Sequence, residues 1–191
     1  MNYKYILPVF LFSGTVMFSQ GTSQIIVPNE NLIAENIPAI PKSLSEKIKK
    51  YSESRSANFT AIHPNGKELI IVTRFASTNQ LHQISQPMGN RKQLTFFDEP
   101  VNSADYEPVK GEYLIYSKDI GGNEFGQLFR LDLKTMESKL LTDGGRSQNG
   151  GIMWKKDGSG FYFSSTKRNG GDRDVYYMNP LKPEETRLVL E

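Results

Sequence analysis

Trp154-Lys155-Lys156-Asp157-Gly158-Ser159-Gly160-Phe161-Tyr162-Phe163 reads as a strand end, a tight turn and a second strand of aromatic residues. Asp-Gly supplies the positive φ that a hairpin turn requires, because Gly enters that region without steric cost. The same pattern stands earlier as Ile62-His63-Pro64-Asn65-Gly66-Lys67-Glu68-Leu69-Ile70-Ile71, and a worn copy runs Glu107-Pro108-Val109-Lys110-Gly111-Glu112-Tyr113-Leu114-Ile115. A repeated hairpin organises the chain.

Working outward from the hairpin, each copy is followed by two more strand-like runs. The first repeat reads as strands at Phe59–Ile62, Leu69–Thr73, Gln80–Ile84 and Gln93–Phe97. The second has Asp105-Tyr106, Tyr113–Ser117, Gln127–Leu131 and Lys139–Thr142, and the third Ile152–Trp154, Phe161–Ser165, Asp174–Met178 and Arg187–Leu190. Third-strand positions Leu81, Leu128 and Val175 keep one period, 128 − 81 = 47 and 175 − 128 = 47 residues. A period in the forties with four short strands per unit is the mark of a β-propeller blade. The second strands are apolar on both faces, as a strand sandwiched between neighbouring blades must be. Third strands such as Gln127-Leu128-Phe129-Arg130-Leu131-Asp132 alternate, which predicts a half-exposed strand. The fold class expected is all-β: an incomplete β-propeller of about three four-stranded blades, at 55–100, 101–145 and 146–191. Rings close with about four to eight blades, so the sequence reads as the front of a longer protein.

Composition limits the function classes. Lys+Arg 23 against Asp+Glu 21 gives a net charge of +2, without the concentrated basic face that nucleic acid demands. Zero Cys excludes disulfides, thiolate zinc sites, a cysteine nucleophile and a lipid anchor on an N-terminal Cys. Residues 1–20 open with Lys4, continue through an apolar run from Tyr5 to Phe18 and end at polar Ser19-Gln20, the layout of a secretory signal peptide. The apolar run is shorter than the roughly 20 residues a spanning helix needs. A periplasmic or secreted product with no membrane span is therefore expected. The lead-in 21–54 reads as extended up to Pro41. A short helix at Ser43–Tyr51 follows, with Ser43 as N-cap, Glu46 at capping-box spacing, and Lys47, Lys49 and Lys50 toward its C-terminal end.

Few residues carry chemistry. Gly145-Arg146-Ser147-Gln148-Asn149 and Asp157-Gly158-Ser159-Gly160 each miss a glycine of the hydrolase elbow Gly-x-Ser-x-Gly and lack a following helix. His63 and His82 have no partner at metal-ligand spacing and read as surface or strand-packing residues. Asp172-Arg173-Asp174 lacks the calcium-loop pattern. No catalytic residue, metal ligand or cofactor is assigned. The most unusual loop is Asp119-Ile120-Gly121-Gly122-Asn123-Glu124-Phe125-Gly126-Gln127, where Asn123 and Glu124 are the candidate contact residues, bonding either the turn or a ligand.

The order of several short pieces adds to this. Arg74-Phe75, Gln80-Leu81-His82, Gln93-Leu94-Thr95-Phe96, Glu99-Pro100-Val101, Asp119–Glu124, Leu141-Thr142-Asp143-Gly144 and Ser164–Gly170 together resemble the N-terminal propeller of exported serine peptidases of the prolyl oligopeptidase family. The resemblance covers roughly Ile37 to Glu191. It implies a propeller that caps an α/β-hydrolase domain and admits short peptides. The family's catalytic Ser, Asp and His belong to that other domain, so none carries over to this chain. The alternative is a non-catalytic binding propeller resembling that of the periplasmic Tol translocation system, with which the Pro-Asn-Gly and Lys-Asp-Gly hairpins are shared. The chain alone is expected to lack peptidase activity and to self-associate through the uncapped face of its last blade.

Overall fold

The computed structural model describes residues 24–191, so the signal-like segment at 1–20 lies outside the described residues. The chain divides into two compact units, Met1–Ser54 and Arg55–Glu191. In the first, the lead-in is a loop closed on itself. Ile25 bridges Pro41, the Ile26 N–H donates to the Ile40 carbonyl at 2.8 Å, and the Lys42 N–H donates to the Gln24 carbonyl at 2.8 Å. Helix α1 (Lys42–Ser52) corrects the expected cap. Its N-cap is Pro41 and no side chain caps it. Because the Pro41 carbonyl already accepts the Leu44 and Ser45 N–H groups, Ser43 sits inside the first turn, past the position from which a hydroxyl reaches the free N–H groups. Lys49 and Lys50 do occupy the last turn, and none of the helix is buried.

The second unit is three four-stranded antiparallel sheets in chain order. Blade 1 is β1 (Ala57–Ile62), β2 (Leu69–Thr73), β3 (Gln80–Ile84) and β4 (Lys92–Gln93). Blade 2 is β5 (Ser103–Tyr106), β6 (Tyr113–Lys118), β7 (Gln127–Asp132) and β8 (Ser138–Leu140). Blade 3 is β9 (Asn149–Trp154), β10 (Phe161–Ser165), β11 (Asp174–Asn179) and β12 (Lys182–Leu190). Each sheet is a meander, because every connection is short enough to return the chain antiparallel to its neighbour.

The blades pack face to face through two cores. Blade 1 sets Ala61, Ile70, Val72 and Leu81 against Tyr106, Leu114, Tyr116 and Phe129 of blade 2. Blade 2 sets Tyr113, Ile115 and Leu128 against Phe161, Phe163, Tyr176 and Met178 of blade 3. Alternate residues of β6 thus serve opposite cores, which is why its sequence has no polar side. Burying each of these large side chains contributes about 1.5–3 kcal/mol. The inner strands of blades 1 and 2 meet directly: the Thr60 hydroxyl donates to the Ala104 carbonyl at 2.9 Å and accepts from the Ala104 N–H at 3.0 Å.

Two expectations change here. The fourth strand of blade 1 is only Lys92–Gln93, not Gln93–Phe97. The Leu94 N–H still donates to the Leu81 carbonyl, but the Leu81 N–H then turns to the Thr95 hydroxyl at 2.9 Å, and side chains replace the ladder. Blade 2 repeats the substitution, with the Leu128 N–H donating to the Thr142 hydroxyl at 3.1 Å after β8 ends at Leu140. The third strand β7 is also not half-exposed: Gln127, Leu128, Phe129 and Leu131 are all buried, and only Arg130 and Asp132 reach toward solvent.

The outermost faces are open. The register places Met153, Tyr162 and Tyr177 in one row on the far face of blade 3, with Val175 and Leu190 in the next. Met153 is 69% and Leu190 63% exposed. On the near face of blade 1, Phe59 is 63% exposed.

Candidate functional site

The loop from Asp119 to Gly126 leaves the end of β6 and is pinned at both feet. At the first foot, the Lys118 ammonium pairs with the Glu99 carboxylate at 3.1 Å and lies over the rings of Phe97 and Phe129, 4.8 and 5.3 Å from their centroids. The other Glu99 oxygen accepts the Gly121 N–H at 2.7 Å. The Gly121 N–H, Glu99's own N–H and the Lys118 ammonium, in that order, hold the Glu99 carboxyl below the usual carboxylate range. Gly121 and Gly122 follow with φ of 64° and 72°, two left-handed residues in succession that swing the chain outward.

At the second foot, the Gln148 amide donates to the Glu124 carbonyl at 2.7 Å, while its oxygen accepts the Gly126 N–H at 3.3 Å. Between the feet, the two candidate residues part company. Asn123 is turn chemistry, since its side-chain oxygen accepts the Phe125 N–H at 3.0 Å. Glu124 holds a left-handed φ of 63° and gives its N–H to Asp119 at 3.0 Å. Its carboxylate makes no hydrogen bond or ion pair among the described residues. Arg146 lies over the Phe125 ring, 5.2 Å from its centroid. The loop and the neighbouring Arg146 thus set one unpaired carboxylate, one guanidinium and one ring close together.

Behind this surface lies a network that sequence reasoning missed. Gln127 is 0% exposed, yet its amide donates to the carbonyls of Gly145 and Ser147, and its oxygen accepts from the Thr142 hydroxyl at 2.7 Å and the Gly144 N–H at 3.0 Å. Gln80 does the same work one blade earlier, donating to the carbonyls of Phe97 and Glu99 and accepting the Phe97 N–H at 3.2 Å. Each glutamine bolts its blade to the crossing that leads into the next. The available signal was the recurrence of Gln-Leu followed by Leu-Thr at 80–81 and 94–95, and again at 127–128 and 141–142.

The other singled-out residues have local partners. Ser147 donates to Asp143 and accepts from the Asn149 amide at 3.0 Å, with no histidine beside it. Ser159 donates to Asp157 at 2.7 Å inside the hairpin turn. That turn's N–H and hydroxyl, with Lys155, hold the Asp157 carboxyl down to about 2. Asp174 pairs with Arg168 at 2.7 Å, and Asp172 is tied to the Asn169 amide. His82 is 1% exposed, with Phe75 edge-on at 5.2 Å and its Nδ1 at 3.0 Å from the Gln80 carbonyl. His63 packs edge-on against Tyr106 at 4.9 Å. Among the described residues no serine faces a histidine.

Comparison with known proteins adds the fold. No family model matches the chain, and no curated protein matches it in sequence. Solved structures do match. TolB from Acinetobacter baumannii aligns at 20% identity and a TM-score of 0.55, covering 71% of this chain and 32% of that one. A prolyl endopeptidase structure aligns at 13% identity and TM-score 0.54, over 71% of this chain and 21% of that one. A putative dipeptidyl aminopeptidase IV from Bacteroides ovatus gives 15% and 0.53, over 70% and 23%. The chain thus spans about a fifth to a third of the length of these neighbours. Likeness at this level shows the β-propeller fold, and the neighbours include both TolB and peptidases.

Proposed function

We propose that this chain is the substrate-gating propeller portion of an exported serine peptidase acting on short peptides. In this reading the α/β-hydrolase domain is encoded outside the present sequence. The observation that supports it is the Asp119–Gly126 loop. It is held by Glu99, Lys118 and Gln148, and it sets an unpaired Glu124 carboxylate near the Arg146 guanidinium that lies over Phe125, polar groups of both signs suited to the ends of a peptide. A rigid rim that binds without a nucleophile is what a gate requires. Export is supported by the layout of residues 1–20, and no helix among the described residues is long and apolar enough to cross a membrane.

Reading the gene beyond the Glu191 codon tests the proposal. Further four-stranded repeats followed by Gly-x-Ser-x-Gly are expected. Repeats that run to a stop codon without a hydrolase segment would replace this reading with the binding propeller of the Tol type.

A further inference from the structure

A cavity of about 300 Å³ lies between blades 2 and 3. Leu141, Phe163 and Met178 form its buried floor, and Asp143, Lys167 and Glu184 stand exposed at its mouth. In the seam between blades 1 and 2 the corresponding space is full. There Phe97 stacks on Tyr116 with centroids 6.0 Å apart, Tyr116 stacks on Phe129 at 5.3 Å, and the Tyr116 hydroxyl reaches the Ser138 hydroxyl.

The two seams can be put in register atom by atom. The Phe97 N–H donates to the Gln80 side-chain oxygen, and the Gly144 N–H donates to the Gln127 side-chain oxygen. Tyr116 pairs with Phe129, and Phe163 pairs with Tyr176. Gly144 therefore stands where Phe97 stands, and Phe163 where Tyr116 stands. The second seam lacks the phenyl ring that Phe97 supplies in the first, its phenolic hydroxyl sits on Tyr176 rather than at the Tyr116 position, and the cavity lies beside Phe163. An apolar cavity of about 150 Å³ holds a benzene ring, so this one has room for a ring and main-chain atoms besides. Its mouth carries charges of both signs, and neither the Lys167 ammonium nor the Glu184 carboxylate makes an ion pair among the described residues.

We propose that this cleft binds the aromatic residue of a short zwitterionic peptide. The ring occupies the place that Phe97 fills in the sister seam, and the charged ends meet Glu184 and Lys167. The site is separate from the Glu124 loop and does not rest on the peptidase reading.

Calorimetric titration of the full chain with phenylalanyl-glycine, glycyl-glycine and N-acetyl-phenylalaninamide tests it. Phenylalanyl-glycine is expected to bind at least about tenfold more tightly than glycyl-glycine, the worth of a buried ring. Thr186→Phe, which fills the cleft from its half-buried wall, should weaken phenylalanyl-glycine by about the same factor. The double variant Lys167→Met with Glu184→Gln changes only exposed groups and guards against misfolding of the first. It should weaken phenylalanyl-glycine and leave the uncharged amide unchanged. Equal affinity for the two dipeptides, no binding of phenylalanyl-glycine, or undiminished binding by folded Thr186→Phe would each overturn the proposal. So would undiminished binding by the double variant.

Discussion

At the scale of single residues, the buried amide of Gln127 decides how blade 2 meets blade 3. Gln127→Leu keeps the volume but strands the Gly145 carbonyl and the Gly144 N–H, while the Ser147 carbonyl keeps the Asn149 amide, so it should cost about 3 kcal/mol in a urea titration, given about 1–3 kcal/mol per orphaned buried group. Its sequence gave no single sign of this, because glutamine on an alternating strand reads as a solvent-facing residue. Only its five-way bonding, with Asn149 as the fifth partner at 3.4 Å, explains the burial. The histidines and the serine of 145–149 read as packing and turn residues, since the groups that would activate them are missing from the sequence around them. Asp174 offers a pH test. Its side chain is buried against Arg168, whose hydrogen bonds hold the carboxyl below its ordinary value. A depressed carboxyl contributes stability that is present above the unfolded pKa of about 4 and is lost as the pH falls through the folded value. The melting temperature should therefore fall below about pH 4, and Asp174→Asn should flatten that part of the profile.

At the scale of elements, the repeated hairpins do more than turn the chain. A Cβ on Gly111 would collide with the His63 ring, and one on Gly158 would lie 2.7 Å from Val109 and 2.8 Å from Glu107. Each turn glycine accepts the turn of the preceding blade, whereas Gly66, in the first turn, meets nothing within 4 Å. Gly158→Ala should consequently cost about 2 kcal/mol or more, combining left-handed strain with the clash. Gly66→Ala should cost about 1 kcal/mol, the strain alone. Equal costs would mean that the turns do not stack. Positive φ was readable from Asp-Gly and Asn-Gly; the close approach between blades was not, because it depends on residues 48 and more positions away (111 − 63 = 48, 158 − 109 = 49). The second strands were read to the residue in two blades, since apolar runs bounded by turns leave little choice. The fourth strands were not, because Thr95 and Thr142 use side-chain oxygens where a strand uses its backbone. The inner aromatic residues add an alkaline counterpart to the acid test. Burial pushes the hydroxyls of Tyr106, Tyr113 and Tyr116 each up to about 12. Groups with raised pKa stabilise fully below the unfolded value of about 10, and this is lost as the pH rises toward the folded value. Tyrosine absorbance should therefore rise together with cooperative unfolding between about pH 10 and 12, not as a separate earlier titration.

At the scale of the whole molecule, three equivalent blades present two unequal outer faces. Met153, Tyr162 and Val175 on blade 3 hold the positions that Ala61, Ile70 and Leu81 use to bind the following blade, with Leu190 beside Val175. An apolar sheet face of this kind promotes association. Sedimentation velocity of the 191-residue chain should show species larger than the monomer, and Met153→Lys with Leu190→Lys should shift the distribution toward monomer. A concentration-independent monomer for the parent chain would show that these faces do not associate. In the proposed function this part of the molecule holds and admits peptides but does not cleave them. Incubation of the purified chain with a chromogenic dipeptide tests it most directly. No release of chromophore above the buffer control is expected, and catalytic turnover by the pure chain would contradict the peptide-gating proposal.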